Sequence, residues 1–528
     1  MQSRRDQVQA HMFVMGRLTS SMLRADPDAP ESPQGRTNRG VVIGVVIAVL
    51  ISAGAFVLGL LKPGTKDSWQ EAGTLVVSKT TGSRYLYLNG RLRPVRNYAS
   101  ARLLVGADMT VSSVGAASLS GTPHGTPIGI TGAPDALPAG GDLDDGPWQV
   151  CSGTTTGTTG TTLAIGVAAG TAGLPTAQAL LVTGPDKADY LVWRGSKLRL
   201  DKETNAREAL GYGSTPRVAV SAAFLNSVPS GPDLTPADVA DLGGKGPELG
   251  GRSTRIGEVF RVTVPGSAER YYLLRQEGLV PLTATGAALL LGAPDIREKV
   301  YQGRAAQVAT LGADALSGHL APGADTSAQD TDRPASPPEV VGVEEDTTAC
   351  VRVQPGQKGP RISVALVPSG TLGPAAQAPA EGLTPACVPV GRITVPAGGG
   401  DLVRALGASG SEVGGTVYLV TDTGMKYRIG SADALTALGY TESQARGLPA
   451  PLLAMLPTGP DLTPEAAALG TSTTTAPRCG TGTAGTATGP GSGTDGRKTA
   501  GAPPAGTPGG AAGEGTENAP AGAQADPE

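Results

Sequence analysis

Large aromatic side chains are scarce in this sequence: Phe, Trp and Tyr number 4, 3 and 11 and make up only 3% of 528 residues, while Gly and Pro number 78 and 44. A composition so poor in the residues that fill cores argues against one large close-packed enzyme domain. Long basic runs are also missing, and 42 Lys and Arg against 46 Asp and Glu leave a net charge of −4. Nucleic acid is therefore not an expected partner. The three histidines (His11, His124, His319) and four cysteines (Cys151, Cys350, Cys387, Cys479) are scattered singly. Metal sites need closer spacing than this, so no metal and no cofactor is implied.

Phosphate-binding signatures are absent too. A P-loop needs GxxxxGK[ST], whose backbone N–H groups, lysine and hydroxyl cradle the phosphates. The nearest strings are Leu242-Gly243-Gly244-Lys245-Gly246, which lacks the hydroxyl residue, and Gly153–Gly160, which lacks the lysine. His124 in GTPHGTP and His319 in LSGHLAPG stand in glycine- and proline-bearing contexts poor at fixing an imidazole, and no GxSxG elbow precedes a helix. No catalytic constellation is visible.

What the chain does have is a long apolar run. From Val41 to Leu61 it reads VVIGVVIAVLISAGAFVLGLL without a charge, and a bilayer core of about 30 Å needs roughly 20 helical residues. A signal peptide core is shorter and lies nearer the N-terminus, so the expectation is a transmembrane helix over 41–61. Arg4, Arg5, Arg17, Arg24, Arg36 and Arg39 precede it, against Lys62 and Lys66 just after. The positive-inside rule then puts residues 1–40 in the cytoplasm and the rest outside. Gly40, Gly44, Ala48 and Ser52 recur every fourth residue, offering one face for close approach of another helix. In residues 1–40, Val8, Met12, Met15, Met22 and Leu23 fall near helical spacing, as in an amphipathic helix that needs a partner.

The outer region repeats itself. An offset of 228 residues aligns Ala209-Leu210-Gly211-Tyr212 with Ala437-Leu438-Gly439-Tyr440, and GPDLTP at 231–236 with GPDLTP at 459–464. It also brings Tyr190-Leu191-Val192 onto Tyr418-Leu419-Val420. Each copy reads as two short strands around a turn, a helix near ALGY and a Pro-punctuated segment. Two weaker copies share the hairpin, so the expected units are 73–106, 179–236, 257–320 and 415–470. None buries much alone, and each must pack on neighbours. The intervening segments 107–178 and 345–414 hold strand-like runs such as TLAIGVA, TACVRV and RISVALVP.

Four cysteines outside the cytoplasm allow three pairings, and the sequence alone does not choose among them. If 107–178 and 345–414 form one discontinuous domain, a Cys151–Cys350 disulfide would tie its halves, with a chain-entropy contribution on the order of 5 kcal/mol. Cys387 and Cys479 would then bracket the fourth unit. Residues 321–344 read as a linker, and 471–528, devoid of large apolar residues, as a disordered Gly/Ala/Thr/Pro-rich tail.

The order of parts resembles the EccB family, membrane-anchored components of the type VII (ESX) secretion system of actinobacteria. The resemblance rests on QVQAHMFVMGRL before the span, YLYLNGRLRPVRNYASARLLVG after it, GITGAPDALP at 129–138, PWQVC at 147–151 and the two GPDLTP copies, and covers about residues 5–470. It implies an α+β fold: a single N-terminal transmembrane helix, then an elongated extracytoplasmic region of four β-hairpin/helix repeats around a discontinuous β-rich central domain closed by a disulfide. It further implies a structural subunit in the inner membrane, scaffolding the periplasmic side of the export channel. The implied partners are EccC, EccD, EccE, the mycosin protease and other EccB copies. Alternative readings are a membrane-anchored extracytoplasmic ATPase or hydrolase, or a cell-wall-binding protein. The tail and the pair Cys387 and Cys479 have no counterpart in that pattern.

Overall fold

The computed structural model describes residues 4–24, 33–61, 68–155, 158–167, 172–263, 269–323, 332–356, 359–376, 383–407, 410–476 and 479. The fold is α+β. It starts with α1 (Arg4–Arg24) and α2 (Pro33–Leu61). Within α2, Thr37–Leu58 is a 22-residue stretch of mean hydropathy 2.9, the one candidate membrane span among the described residues. Its large apolar side chains are exposed, Phe56 at 70% for example, which suits a helix solvated by lipid.

Beyond Ser68 the chain builds sheets. In the first, β1 (Thr74–Ser78), β2 (Arg84–Leu88) and β3 (Arg91–Pro94) are antiparallel neighbours; α3 (Tyr98–Val105) then carries the chain back so that β4 (Thr110–Val114) lies parallel to β1. The order is β3-β2-β1-β4. Asn89 and Gly90 both take positive φ between β2 and β3, as a tight hairpin turn of Asn-Gly requires. Asn97 starts α3 because its side chain accepts from the Ser100 N–H and donates to the Ile130 carbonyl. A short α4 (Ala116–Leu119) follows.

The hairpin β5 (Trp148–Thr155) and β6 (Thr158–Ile165) opens a central sheet that the chain then leaves. Next come β7 (Gln178–Thr183), β8 (Asp189–Trp193), β9 (Ser196–Arg199), α5 (Ala206–Ala209), β10 (Val218–Ala219) and α6 (Ala222–Ser227). They form a second sheet ordered β10-β7-β8-β9, again with the fourth strand parallel to the first. A small hairpin, β11 (Lys245–Leu249) with β12 (Arg252–Arg255), precedes a third sheet. That sheet holds β13 (Val259–Val262), β14 (Arg270–Arg275), β15 (Gly278–Leu282) and, after α7 (Ala284–Gly292), β16 (Ala309–Leu311), ordered β15-β14-β13-β16. β17 (Glu339–Val340) returns to pair with β7.

The chain then re-enters the central sheet. β18 (Thr347–Gln354), β19 (Arg361–Pro368) and β20 (Arg392–Thr394) complete it in the order β19-β18-β5-β6-β20. The fourth sheet contains β21 (Gly400–Leu406), β22 (Glu412–Thr421), β23 (Lys426–Ile429) and, after α8 (Ala432–Leu438), β24 (Arg446–Pro449), ordered β23-β22-β21-β24. Helices α9 (Ala450–Leu453) and α10 (Pro464–Leu469) end the described fold.

These boundaries differ from the sequence expectation in three places. The fourth sheet begins at Gly400, inside the stretch assigned to the central half 345–414. Its first hairpin shifts register between Arg404 and Leu406, which breaks the alternation that marks a strand in sequence. Part of the 321–344 linker is packed: Arg333 donates to the Asp233 carbonyl at 3.0 Å and the Ala335 carbonyl accepts from the Thr285 N–H at 3.3 Å. The remainder, 324–331, lies outside the described residues. The start of the expected tail is also packed, Ser472 Oγ donating to the Thr131 carbonyl at 3.2 Å, whereas 480–528 lie outside the described residues.

Packing sets which sheets touch. On one face of the central sheet, Trp148, Val150, Leu163 and Val351 are buried against Phe224 of α6 and Leu452 and Leu453 of α9. The other face carries Cys151, Ala164, Cys350 and Ala365, since successive residues on a strand point to opposite sides. Ala99 and Leu103 of α3 share a core with Leu419, Tyr427 and Leu435 of the fourth sheet. Leu289 of α7 joins the core of the second sheet, with Leu191, Leu198 and Leu210. The chain of contacts thus runs first, fourth, central, second, third.

Candidate functional site

Cys151 on β5 and Cys350 on β18 face each other directly in the antiparallel register and are disulfide-bonded across 199 residues. Both are buried. Cys387 is bonded to Cys479 across 92 residues. The first bond lies within the central sheet; the second joins the segment before β20 to the chain that follows α10.

On the opposite face of the central sheet is a polar lock that sequence reading missed. Trp148 Nε1 donates to Asp401 Oδ2 at 2.7 Å, and an Arg446 guanidinium nitrogen donates to Asp401 Oδ1 at 2.8 Å. Asp401 is 1% exposed. Burial pushes its carboxyl up to about 6 even though Arg446 and Trp148 pull the other way. The Asp144 N–H donates to the Gly400 carbonyl at 2.7 Å, and burial raises the Asp144 carboxyl as well. Both oxygens of Asp401 are occupied by fixed donors, so the group ties the central and fourth sheets together.

The two GPDLTP copies make the same bonds. The Gly231 N–H donates to the Lys197 carbonyl and the Gly459 N–H to the Lys426 carbonyl; Leu234 and Leu462 follow onto Arg199 and Arg428. Each copy thereby runs parallel along the third strand of its sheet. Glycine is needed at their heads, because a Cβ at Gly231 would lie 2.5 Å from Leu198 Cδ2 and one at Gly459 2.3 Å from Tyr427 Cε1. Thr463 and Pro464 of the second copy cap and begin α10. The lysines match too: Lys197 Nζ donates to the Leu225 carbonyl of α6 and Lys426 Nζ to the Leu453 carbonyl of α9. So do the ALGY tyrosines, with Tyr212 donating to the Pro338 carbonyl at 2.8 Å and Tyr440 to the Pro138 carbonyl at 2.7 Å.

His124 and His319 occupy the corresponding edge segments of the first and third sheets. Leu92 bridges His124, and the Leu279 N–H donates to the His319 carbonyl. His124 is exposed, as is His11 on α1, while His319 is half-buried, and the three are not brought together. The described residues of the glycine-rich strings lie in the β5–β6 hairpin and at the start of β11. Gly153 and Gly160 oppose each other in the β5–β6 hairpin, residues 156 and 157 lying outside the described residues, and Lys245 opens strand β11 where a P-loop would open a helix. Among the described residues no group of three or more His, Cys, Asp and Glu could hold a metal ion. Gly40, Gly44, Ala48 and Ser52 lie along one face of α2, exposed, and a Cβ at Gly40 or Gly44 would meet nothing within 4 Å.

One candidate membrane helix among the described residues, followed by small sheets tied by two disulfides and by buried polar contacts, defines a membrane-anchored α+β protein. The chain belongs to the EccB family: residues 1–476 match the family described as type VII secretion system ESX-1, transport TM domain B. The "ESX-3 secretion system ATPase EccB3" of Mycolicibacterium smegmatis is 29% identical over 483 residues, covering 87% of this chain and 89% of the relative. The "ESX-1 secretion system ATPase EccB1" of the same species is 27% identical over 486 residues, covering 89% and 95%. Among solved structures, a chain of an intact ESX-5 inner membrane complex superposes with TM-score 0.60 at 21% identity, covering 92% of this chain and 98% of that one, a likeness of fold. A chain of the EccB3 dimer from the ESX-3 core complex gives TM-score 0.57 at 26% identity, covering 75% and 99%.

Proposed function

We propose that this protein is a structural subunit of a type VII secretion membrane complex, with α2 packed among other subunits and the sheets scaffolding the periplasmic side of the export channel. The observation that carries the reading is the family match, which runs through the span and all the sheets together. The partners on this reading are EccC, EccD, EccE, the mycosin protease and further copies of the chain itself. Six arginines before the span favour a cytoplasmic N-terminus and an inner-membrane location. The four outer sheets are copies of one unit around a discontinuous central domain; the common strand order and the paired bonds of the GPDLTP copies support this.

The relatives' names include the word ATPase. For this chain we favour no enzymatic activity, since the sequence carries no GxxxxGK[ST] string and the described residues of its glycine-rich stretches lie in the β5–β6 hairpin and at the start of β11. Two measurements decide. Extraction in mild detergent should bring the protein out with other membrane subunits; elution as a lone chain from cells that assemble the system overturns the scaffold. Purified full-length protein should hydrolyse no nucleotide above contaminant level, and activity that follows the protein through two columns and is lost in a point variant would establish an enzyme instead.

A further inference from the structure

The two disulfides sit in opposite environments. Cys151 and Cys350 are 2% and 0% exposed inside the central sheet, whereas Cys479 is exposed and Cys387 half-buried. Thiol–disulfide exchange needs a thiolate to reach one sulfur in line with the bond, so access decides which bond exchanges.

The exposed bond also closes a strap. After α10, the Thr471 N–H donates to the Ala466 carbonyl at 3.1 Å and the Thr473 carbonyl accepts from the Asp461 N–H at 2.8 Å. Asp461, 6% exposed, takes the Thr475 N–H on its carboxylate at 3.2 Å and pairs with Arg428 at 3.4 Å. Ser472 reaches across to the Thr131 carbonyl, which belongs to the first sheet's side of the junction. At its far end the disulfide fastens the strap to the segment holding Thr384 and Val388, whose N–H groups donate to the Thr458 and Ala454 carbonyls at 2.9 and 3.0 Å. Residues 470–476 thus lie against the second GPDLTP copy, held by a few hydrogen bonds, with the Cys479 bond beyond them. Segments held this way open locally at low cost once the covalent bond is gone.

We propose that Cys387–Cys479 is an exchangeable disulfide, a redox modification site for a protein dithiol outside the membrane, and that its reduction releases the strap 470–476 while the Cys151–Cys350 bond and the central sheet stay closed. A thiolate of the dithiol attacks the exposed Cys479 sulfur, breaking its bond to Cys387, which leaves as a thiolate and is protonated. The second thiol of the dithiol then attacks the mixed disulfide, freeing Cys479 as a thiol. Two electrons pass to the protein and the dithiol ends as a disulfide. The identity of the reductant rests on the extracytoplasmic reading above; the chemistry does not, and it is tested on purified protein.

The test uses full-length protein in detergent, graded dithiothreitol, alkylation and peptide mass mapping, with amide hydrogen exchange in parallel. Cys387 and Cys479 should be alkylated roughly ten-fold or more faster than Cys151 and Cys350, as access dictates. The amides of Asp461, Thr471 and Thr475 should then lose protection, while those of β5 and β18 keep it. Equal rates, or earlier reduction of Cys151–Cys350, would overturn the assignment. So would unchanged protection in 470–476 after reduction, since the strap would then be held without its bond. The double variant C387S/C479S gives the same answer without reductant: it should keep Cys151–Cys350 intact and lose protection only in the strap.

Discussion

Trp148 Nε1 and Asp401 Oδ2 lie 2.7 Å apart although 253 residues separate them. One hydrogen bond therefore joins the first strand of the central sheet to the first strand of the fourth, with Arg446 neutralising the same carboxylate. Replacing Asp401 with Ala strands both donors in the interior and should cost about 3–5 kcal/mol, as breaking a buried pair from one side does. Trp148→Phe keeps the charge pair and most of the apolar volume, and its cost should be smaller, roughly 1–3 kcal/mol. Calorimetric unfolding of the two variants checks the order; equal costs would mean the carboxylate matters only as packing.

Lys426 gives a pH signature. Its Nζ rests on the Leu453 and Leu456 carbonyls with the residue 3% exposed, and burial lowers its pKa from 10.5 to about 8. A lysine that releases its proton more readily when folded adds stability above the unfolded value and loses it as pH falls through the folded one. Stability contributed by this group should thus rise between pH 8 and 10.5 by about 3 kcal/mol. Denaturant unfolding across that window, in the wild type and in Lys426→Met, isolates the effect. The variant should lack this rise, and parallel curves would refute the coupling.

The contact between the second and third sheets depends on missing volume. A Cβ on Gly292 of α7 would fall 2.2 Å from the Ala209 Cβ of α5. Gly292→Ala should destabilise by about 1–3 kcal/mol through overpacking. Adding Ala209→Gly should recover part of that loss, so the pair is non-additive. Additive costs in a double-mutant cycle would show that the helices simply move apart.

In lipid no hydrophobic force draws helices together, and association depends on close backbone approach. Replacing Gly44 and Ala48 with Leu keeps α2 apolar and long enough to span. The expected result is inserted protein with Cys151–Cys350 formed that no longer copurifies with other membrane subunits. Assembly at wild-type level would show that the small-residue face is composition only.

The span is legible because one physical variable, hydropathy over some twenty residues, identifies it. The GPDLTP copies are legible because identical short-range bonds demand identical residues, including a glycine where Leu198 or Tyr427 crowds the backbone. Long-range pairing is another matter. Nothing local in GDLVRAL marks β21 as the partner of β22 across a register shift, and two-residue β10 or three-residue β16 is too short to carry a period. The Trp148–Asp401–Arg446 contact is a property of the assembled sheets, and no spacing within one segment encodes it. A lysine recurs in SKLR and MKYR, yet its role follows only from the carbonyls of α6 and α9 that Lys197 and Lys426 meet in the fold.

The two bonded pairs, Cys151 with Cys350 and Cys387 with Cys479, are consecutive along the chain. On the proposed topology the chain exposes Cys151 first, and at synthesis rates of about 5–20 residues per second the next thiol, 199 residues later, follows after some 10–40 s. During that wait the strands of the second and third sheets, all close in sequence, can close on themselves while the β5–β6 hairpin stands with one edge open. When Cys350 emerges it is the only thiol Cys151 can meet until Cys387 follows. The order of emergence thus favours the native pairing, each cysteine meeting its partner as the next thiol to arrive.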